Sequence, residues 1–184
     1  MRPFLIDLQL VMKAVARYKK IKMLKEGFQL EKKIWTDADF PIMGWHDAPA
    51  YGMLFQSDVS ALSNQLLFDL DYILQWIDPT PPDKNFSFWI APATLIFKDV
   101  INLHIDINQE PPNIFDFEIM DIHRLEEFTY PNGGIYWKWQ IELSNGNIYF
   151  KAGGYEQIIR KPPELTTRQE YSNRGETSFS QMPF

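Results

Sequence analysis

The sequence predicts a mainly β domain of the α+β class: an antiparallel, strongly curved sheet, a sandwich or a partly open barrel, with an N-terminal helix beside it. Three observations predict it. Apolar and polar residues alternate with period two along most of residues 51–152; Pro, Gly, Asn and Asp cluster between those stretches; and a sustained period near four occurs only before residue 27. Alternation with one apolar and one wet face belongs to antiparallel sheets, because parallel sheets are covered on both faces.

The 184 residues include 14 Phe, 8 Tyr and 6 Trp, enough large side chains for one substantial core and too many for a disordered chain. With no Cys, there are no disulfides, thiolate zinc sites, iron–sulfur clusters or cysteine nucleophiles. The start does not resemble a secretory signal, since Pro3, Asp7 and Gln9 interrupt its apolar residues and lysines follow. No run approaches the roughly 18 apolar residues of a membrane span, so a cytoplasmic location is expected.

From Leu10 to Leu24, apolar residues recur at spacings of three and four, with lysines on the other face and Gly27 as a stop. Such a basic amphipathic helix packs on its own sheet, contacts an acidic membrane surface or docks on a partner. Translation from Met12 or Met23 would shorten it. Residues 1–33 carry nine Lys/Arg against three acids, a net +6, and the remainder nine against twenty-one, a net −12. That break separates a basic helical extension (1–30) from a single β-rich domain (31–171); the polar tail beyond it (172–184) reads as loose, though Phe179 and Phe184 could pin it back. Deletion of residues 1–22 is then expected to leave the body folded. An acidic body argues against nucleic-acid binding, which depends on neutralising phosphates.

Thr36, with Asp37 and Asp39 behind it, predicts a short capped helix ended by Pro41 and Gly44. Strands follow at 51–56, 65–76, 86–97, 100–107 and 115–122, with Pro92 requiring a bulge, a bend or an edge position. The clearest strand is 135–143, where Ile135, Trp137, Trp139, Ile141 and Leu143 share the apolar face. Asn145-Gly146 predicts a type I′ turn, after which Ile148, Phe150 and Ala152 resume the pattern. Trp137 and Trp139 are expected to be deeply buried, with Trp45 anchoring the entry to the first long strand.

Trp45-His46-Asp47, Phe68-Asp-Leu-Asp-Tyr-Ile-Leu-Gln-Trp76, Phe88-Trp-Ile-Ala-Pro-Ala-Thr94 and Tyr155-Glu-Gln-Ile-Ile-Arg160 resemble the motifs of a family of uncharacterised bacterial proteins. The resemblance runs from about Lys32 to Tyr171. It implies one bacterial domain, places residues 1–30 outside it, and carries no activity.

Asp69 and Asp71 sit two residues apart on one face of an apolar strand, about 7 Å apart, positioned to bind a hard cation, to share acid–base work, or to lie on a wet, acidic sheet face that a basic partner could meet. His46 and Asp47, and His104 and Asp106 on another strand, have the residue types of a divalent metal site. In one register, His104 and Asp106 would join Asp69 and Asp71. Tyr136 and Tyr149, on the wet face of the hairpin, are candidate binding aromatics. The nucleotide-binding, α/β-hydrolase and zincin signatures are absent. Two functions follow. The leading one is a non-catalytic intracellular binding domain, immunity-like or accessory, that meets a basic protein through an acidic β-surface and uses no cofactor. The alternative is a small metal-dependent hydrolase or lyase with a His/carboxylate site.

Overall fold

The computed structural model describes residues 27–59, 63–81, 83–108, 117–131 and 133–184, together with Val11, Met12 and Val15. Apart from those three, the helix expected over residues 10–24 falls outside the described residues, as does the deletion test built on it. No helix among the described residues is long and apolar enough to cross a membrane.

Among the described residues, ten antiparallel strands form one sheet that does not close. In chain order they are β1 (Ile34–Thr36), β2 (Ala48–Asp58), β3 (Ser63–Ile77), β4 (Ser87–Lys98), β5 (Ile101–Ile107), β6 (Glu118–Thr129), β7 (Ile135–Leu143), β8 (Gly146–Ala152), β9 (Gly154–Ile159) and β10 (Glu164–Thr166). The spatial order is β1-β9-β4-β3-β2-β6-β7-β8-β5, and β10 pairs with the start of β4. The expected helix at Thr36 is a 3-10 turn, Asp37–Ile42, and the Thr36 N–H donates to Asp39 Oδ2 at 2.8 Å, as a capping carboxylate should.

A short pairing, Ala48 with Ile119 and Pro49 with Glu118, continued by Ala50 N donating to the Phe117 carbonyl at 2.7 Å, joins the two halves of the sheet at β2 and β6. The halves then face each other. Leu66, Phe68 and Leu70 of β3 and Leu95 and Phe97 of β4 share one core with Ile122 of β6, Trp139 and Ile141 of β7, and Ile148 and Phe150 of β8. Phe97 meets Trp139 and Phe150 with ring centroids 5.2 and 4.7 Å apart. Phe40 of the 3-10 turn contacts Trp45, Trp139 and Tyr155. Trp45 is 2% exposed, and its indole N–H donates to the buried Gln157 side chain at 2.7 Å.

The β7–β8 hairpin follows the alternation. Trp139 opposes Phe150 and Ile141 opposes Ile148, all of them buried. Burial fades toward the start of β7, where Trp137 is half-buried and Ile135 is 55% exposed. The turn differs from expectation. Leu143 pairs with Gly146, so Ser144 and Asn145 are the two loop residues and Gly146 opens β8. A Cβ on Gly146 would lie 2.1 Å from the Asp106 carbonyl oxygen, so glycine is needed there for the close approach of β5.

Pro92 sits in a central strand without a bulge: the β3–β4 pairing runs unbroken from Leu66 to Ile73, through Asp71 opposite Pro92, and its irregularity falls between Ile73 and Gln75. The reason lies on its other side. In an antiparallel ladder a residue's N–H and C=O point to the same neighbour. The Pro92 carbonyl accepts from Arg160 N at 2.9 Å, so its missing N–H faces the interval between β9, which pairs from Ala93 onward, and β10, which pairs with Phe88–Ile90.

Candidate functional site

The face of β3 turned away from the core carries Leu67, Asp69 and Asp71, and both carboxylates are fully buried. Burying a charge costs several kcal/mol unless opposite charge and hydrogen bonds replace its water. Here they do. Asp69 Oδ1 accepts from Arg160 Nη2 and from Arg174 Nη2 at 2.5 Å, and Asp69 Oδ2 accepts from Arg174 Nη1 at 2.8 Å and Ser178 N at 2.7 Å. Asp71 Oδ1 accepts from Arg174 Nε at 3.0 Å, and its Oδ2 accepts from the Tyr51 hydroxyl at 3.0 Å and Tyr171 N at 2.8 Å. The Arg174 guanidinium also lies 3.7 Å from the Tyr51 ring centroid, a cation–π contact.

Burial pushes the Asp71 carboxyl above the ordinary aspartate value, and the hydrogen bond from Tyr171 N and the charge of Arg174 offset this only in part. Burial also raises the Tyr51 hydroxyl, helped by the Asp71 charge beside it. For Arg174, burial would lower the guanidinium, but its hydrogen bonds to Asp69 and the charge of Asp71 outweigh burial and hold it above its usual value. The two carboxylates are therefore engaged by the protein's own cations rather than presented to solvent.

The cover over them is the C-terminal segment, 172–184, expected from the sequence to be a loose tail. It follows one cross-strand row of the sheet: Gly52 of β2 opposes Asp69 of β3, Asp69 opposes Thr94 of β4, and Thr94 opposes Ile158 of β9. Thr177 and Phe179 lie over Gly52, where a Cβ would stand 2.9 and 3.1 Å from them. Ser178 bonds Asp69 through its N–H and Arg160 Nη1 through its carbonyl at 2.7 Å, and Thr94 Oγ1 donates to the Ser180 carbonyl at 2.8 Å. Phe179 packs on a small second core of Leu67, Ile96 and Ile158. At the chain end the Phe184 ring lies 3.9 Å from Lys33 Nζ.

The residues expected to form a metal site are not gathered in one place. His46 and Asp47 occupy the turn before β2, with His46 stacked on Trp76 and its Nδ1 3.3 Å from the Met120 carbonyl oxygen. Asp47 accepts from Gln169 Nε2 at 3.2 Å. His104 and Asp106 lie on β5, an end strand that pairs with β8 and stands five positions from β3 in the sheet order, so the register that would join them to Asp69 and Asp71 does not occur. Among the described residues no group of three or more His, Asp or Glu is placed to hold a metal ion.

Tyr136 and Tyr149 lie, half-buried, on the outer face of the second half-sheet, as the alternation requires. Tyr136 packs edge-on against Tyr130, with centroids 4.7 Å apart. Tyr149 belongs to a polar row that crosses four strands: His123, Gln140, Tyr149 and His104. The next outward row is Asp121, Glu142, Asn147 and Asp106. Between these two rows on β6, β7 and β8 comes the opposite face, where Ile122, Ile141 and Ile148 are buried in the core, while Ile105 at the same place on the end strand β5 is exposed. His123 Nε2 reaches Glu142 Oε2 at 3.2 Å, and both side chains remain open to solvent.

Sequence reasoning missed Arg160, Arg174 and Tyr51. A signal existed: residues 66–73 are apolar on both faces apart from the two aspartates, the pattern of a strand covered on both sides. A doubly covered strand with two acids requires cations from elsewhere in the chain. Comparison with family models, curated proteins and solved structures gives no match, so the site is read from its geometry alone.

Proposed function

We propose that this chain is a non-catalytic binding domain that presents the outer face of β5–β8 to a basic protein partner. The observation that carries the reading is the row Asp121–Glu142–Asn147–Asp106, which sets three solvent-facing carboxylates across four adjacent strands. Strands lie roughly 4.8 Å apart, so the row spans about 14 Å of rigid surface, the scale of a patch that meets several Lys or Arg side chains. The neighbouring row adds Tyr149 and two histidines, giving amphipathic contact area beside the charge. Asp69 and Asp71 contribute to the net charge of the body but not to this surface, since they are buried beneath the C-terminal segment. Charge of this kind accelerates encounter and selects partners more than it adds affinity.

An intracellular, bacterial, immunity-like or accessory role fits that surface and the motif resemblance. The test uses the variant Asp106→Lys/Asp121→Lys/Glu142→Lys beside the natural chain, each immobilised and exposed to bacterial lysate at low salt. The natural chain is expected to retain a basic protein that is released at raised salt and that the variant, with an unchanged melting temperature, does not retain. Equal retention by both chains would remove the outer face as the binding surface.

A further inference from the structure

The row Gly52–Asp69–Thr94–Ile158 has the construction of a peptide groove, and the C-terminal segment lies in it as a ligand would. Its floor is the glycine at one end, where the segment's Thr177 and Phe179 come closest to the sheet. One wall is apolar, from Leu67 and Ile96, and it receives the Phe179 ring. The other wall is ionic, from Asp71 and Arg160. Both main-chain polar groups of one ligand residue, Ser178, are bound: the N–H by Asp69 and the C=O by Arg160.

The charges of the groove specify its occupant. Without the segment, the groove contains two carboxylates and one guanidinium, Arg160, which bonds Asp69 Oδ1 and the Ala93 carbonyl. One negative charge is then left over, with Asp69 Oδ2 and Asp71 Oδ1 both free to accept. The Arg174 fork fills that vacancy with three N–H donors directed at the two acids, and it stacks on Tyr51 while doing so. A lysine offers a point charge and cannot reproduce a forked, stacked contact of this kind.

We propose that the C-terminal segment is a detachable occupant in cis, and that the groove beneath it binds in trans an extended segment bearing one arginine and, five positions on, an aromatic residue. This stands on different residues from the outer-face surface, so either reading can fail alone. In the natural chain the tethered segment competes at the high effective concentration that a short linker gives. Weakening the tether exposes the site.

The test uses the full-length chain and a fluorescently labelled synthetic peptide with the sequence of residues 173–184. The chain carrying Arg174→Ala is expected to bind that peptide at least about tenfold more tightly than the natural chain does, because the competing occupant has lost its anchor. The same peptide carrying Arg174→Ala is expected to bind the variant chain at least about tenfold more weakly, since its forked charge-assisted contact is gone. A folded variant that binds neither peptide, or both equally, overturns the proposal. Should Arg174→Ala prevent folding, hydrogen exchange on the natural chain decides. The Ser178 amide is expected to exchange through an opening that leaves the β3 amides protected; exchange of all of them in one global step would make the segment an inseparable part of the core and overturn the proposal.

Discussion

The side chain at position 139 fills the space between the two halves of the sheet, touching Phe40, Phe97 and Tyr155, and none of it is exposed. Trp139→Ala is therefore expected to cost about 3–5 kcal/mol in urea unfolding, the range for a large aromatic removed from a core. Trp137 is half-buried and should cost less. Lys138, which faces the other way, should stay within about 0.5 kcal/mol when replaced by Ala. Position 71 makes a different demand. Its carboxyl is raised in the folded state, so the folded chain holds that proton more tightly than the unfolded chain does. The stabilisation this gives is fully present below the unfolded aspartate value of about 3.9 and is lost as pH rises through the folded value. Urea titrations from pH 3 to 7 should therefore show the natural chain's advantage over Asp71→Asn shrinking as pH rises. An advantage that grows with pH would mean that pairing with Arg174 outweighs burial.

Among the elements, the long strands were legible, the doubly covered β3 and β4 included, whereas the three-residue strands and the cover over β3 were not. β7 and β8 could be read because their alternation reports a single buried face, and the structure repeats it in Trp139, Ile141, Ile148 and Phe150. β1 and β10 have three residues each, too few for any period to show, and they form because β9 and β4 offer them unpaired edges. Pro92 defies its local pattern for a related reason: its tolerance depends on a gap between two later strands, which no local pattern contains. The turn of the hairpin was also shifted by a distant contact, the approach of β5 to Gly146. Gly146→Ala must push the β5 backbone away, and overpacking of that kind costs about 1–3 kcal/mol. Thermal unfolding should show a melting temperature lowered by several degrees, about 2–4 °C per kcal/mol for a chain of this size.

At the scale of the whole molecule, composition spoke clearly about charge and only indirectly about where the charge resides. The net −12 of residues 34–184 was visible in the sequence, yet two of its acids are sealed under the last segment while Asp106, Asp121 and Glu142 share a wet face. The candidate groove could not be assembled from sequence, because it joins residues 51, 69, 71, 160 and 174, and their meeting depends on the sheet order. Alternation fixes which face a side chain takes, whereas only the fold decides what covers that face.

The ends of the acidic network differ greatly in when they are made. A ribosome delivers Asp69 and Asp71 more than a hundred residues before Arg174, so a nascent chain can assemble the core of the sheet while these acids still lack one of their two cations. Neutralisation is then a late event, made by a segment that emerges well after the strands it covers. Contacts formed after the folding barrier raise the unfolding rate when broken and leave the folding rate nearly unchanged. In stopped-flow measurements, Asp69→Asn should therefore shift chiefly the unfolding limb of the chevron, whereas Trp139→Ala, at the meeting of the two half-sheets, should slow folding. Equal effects on the folding limb would instead place the Arg174 contacts inside the folding nucleus.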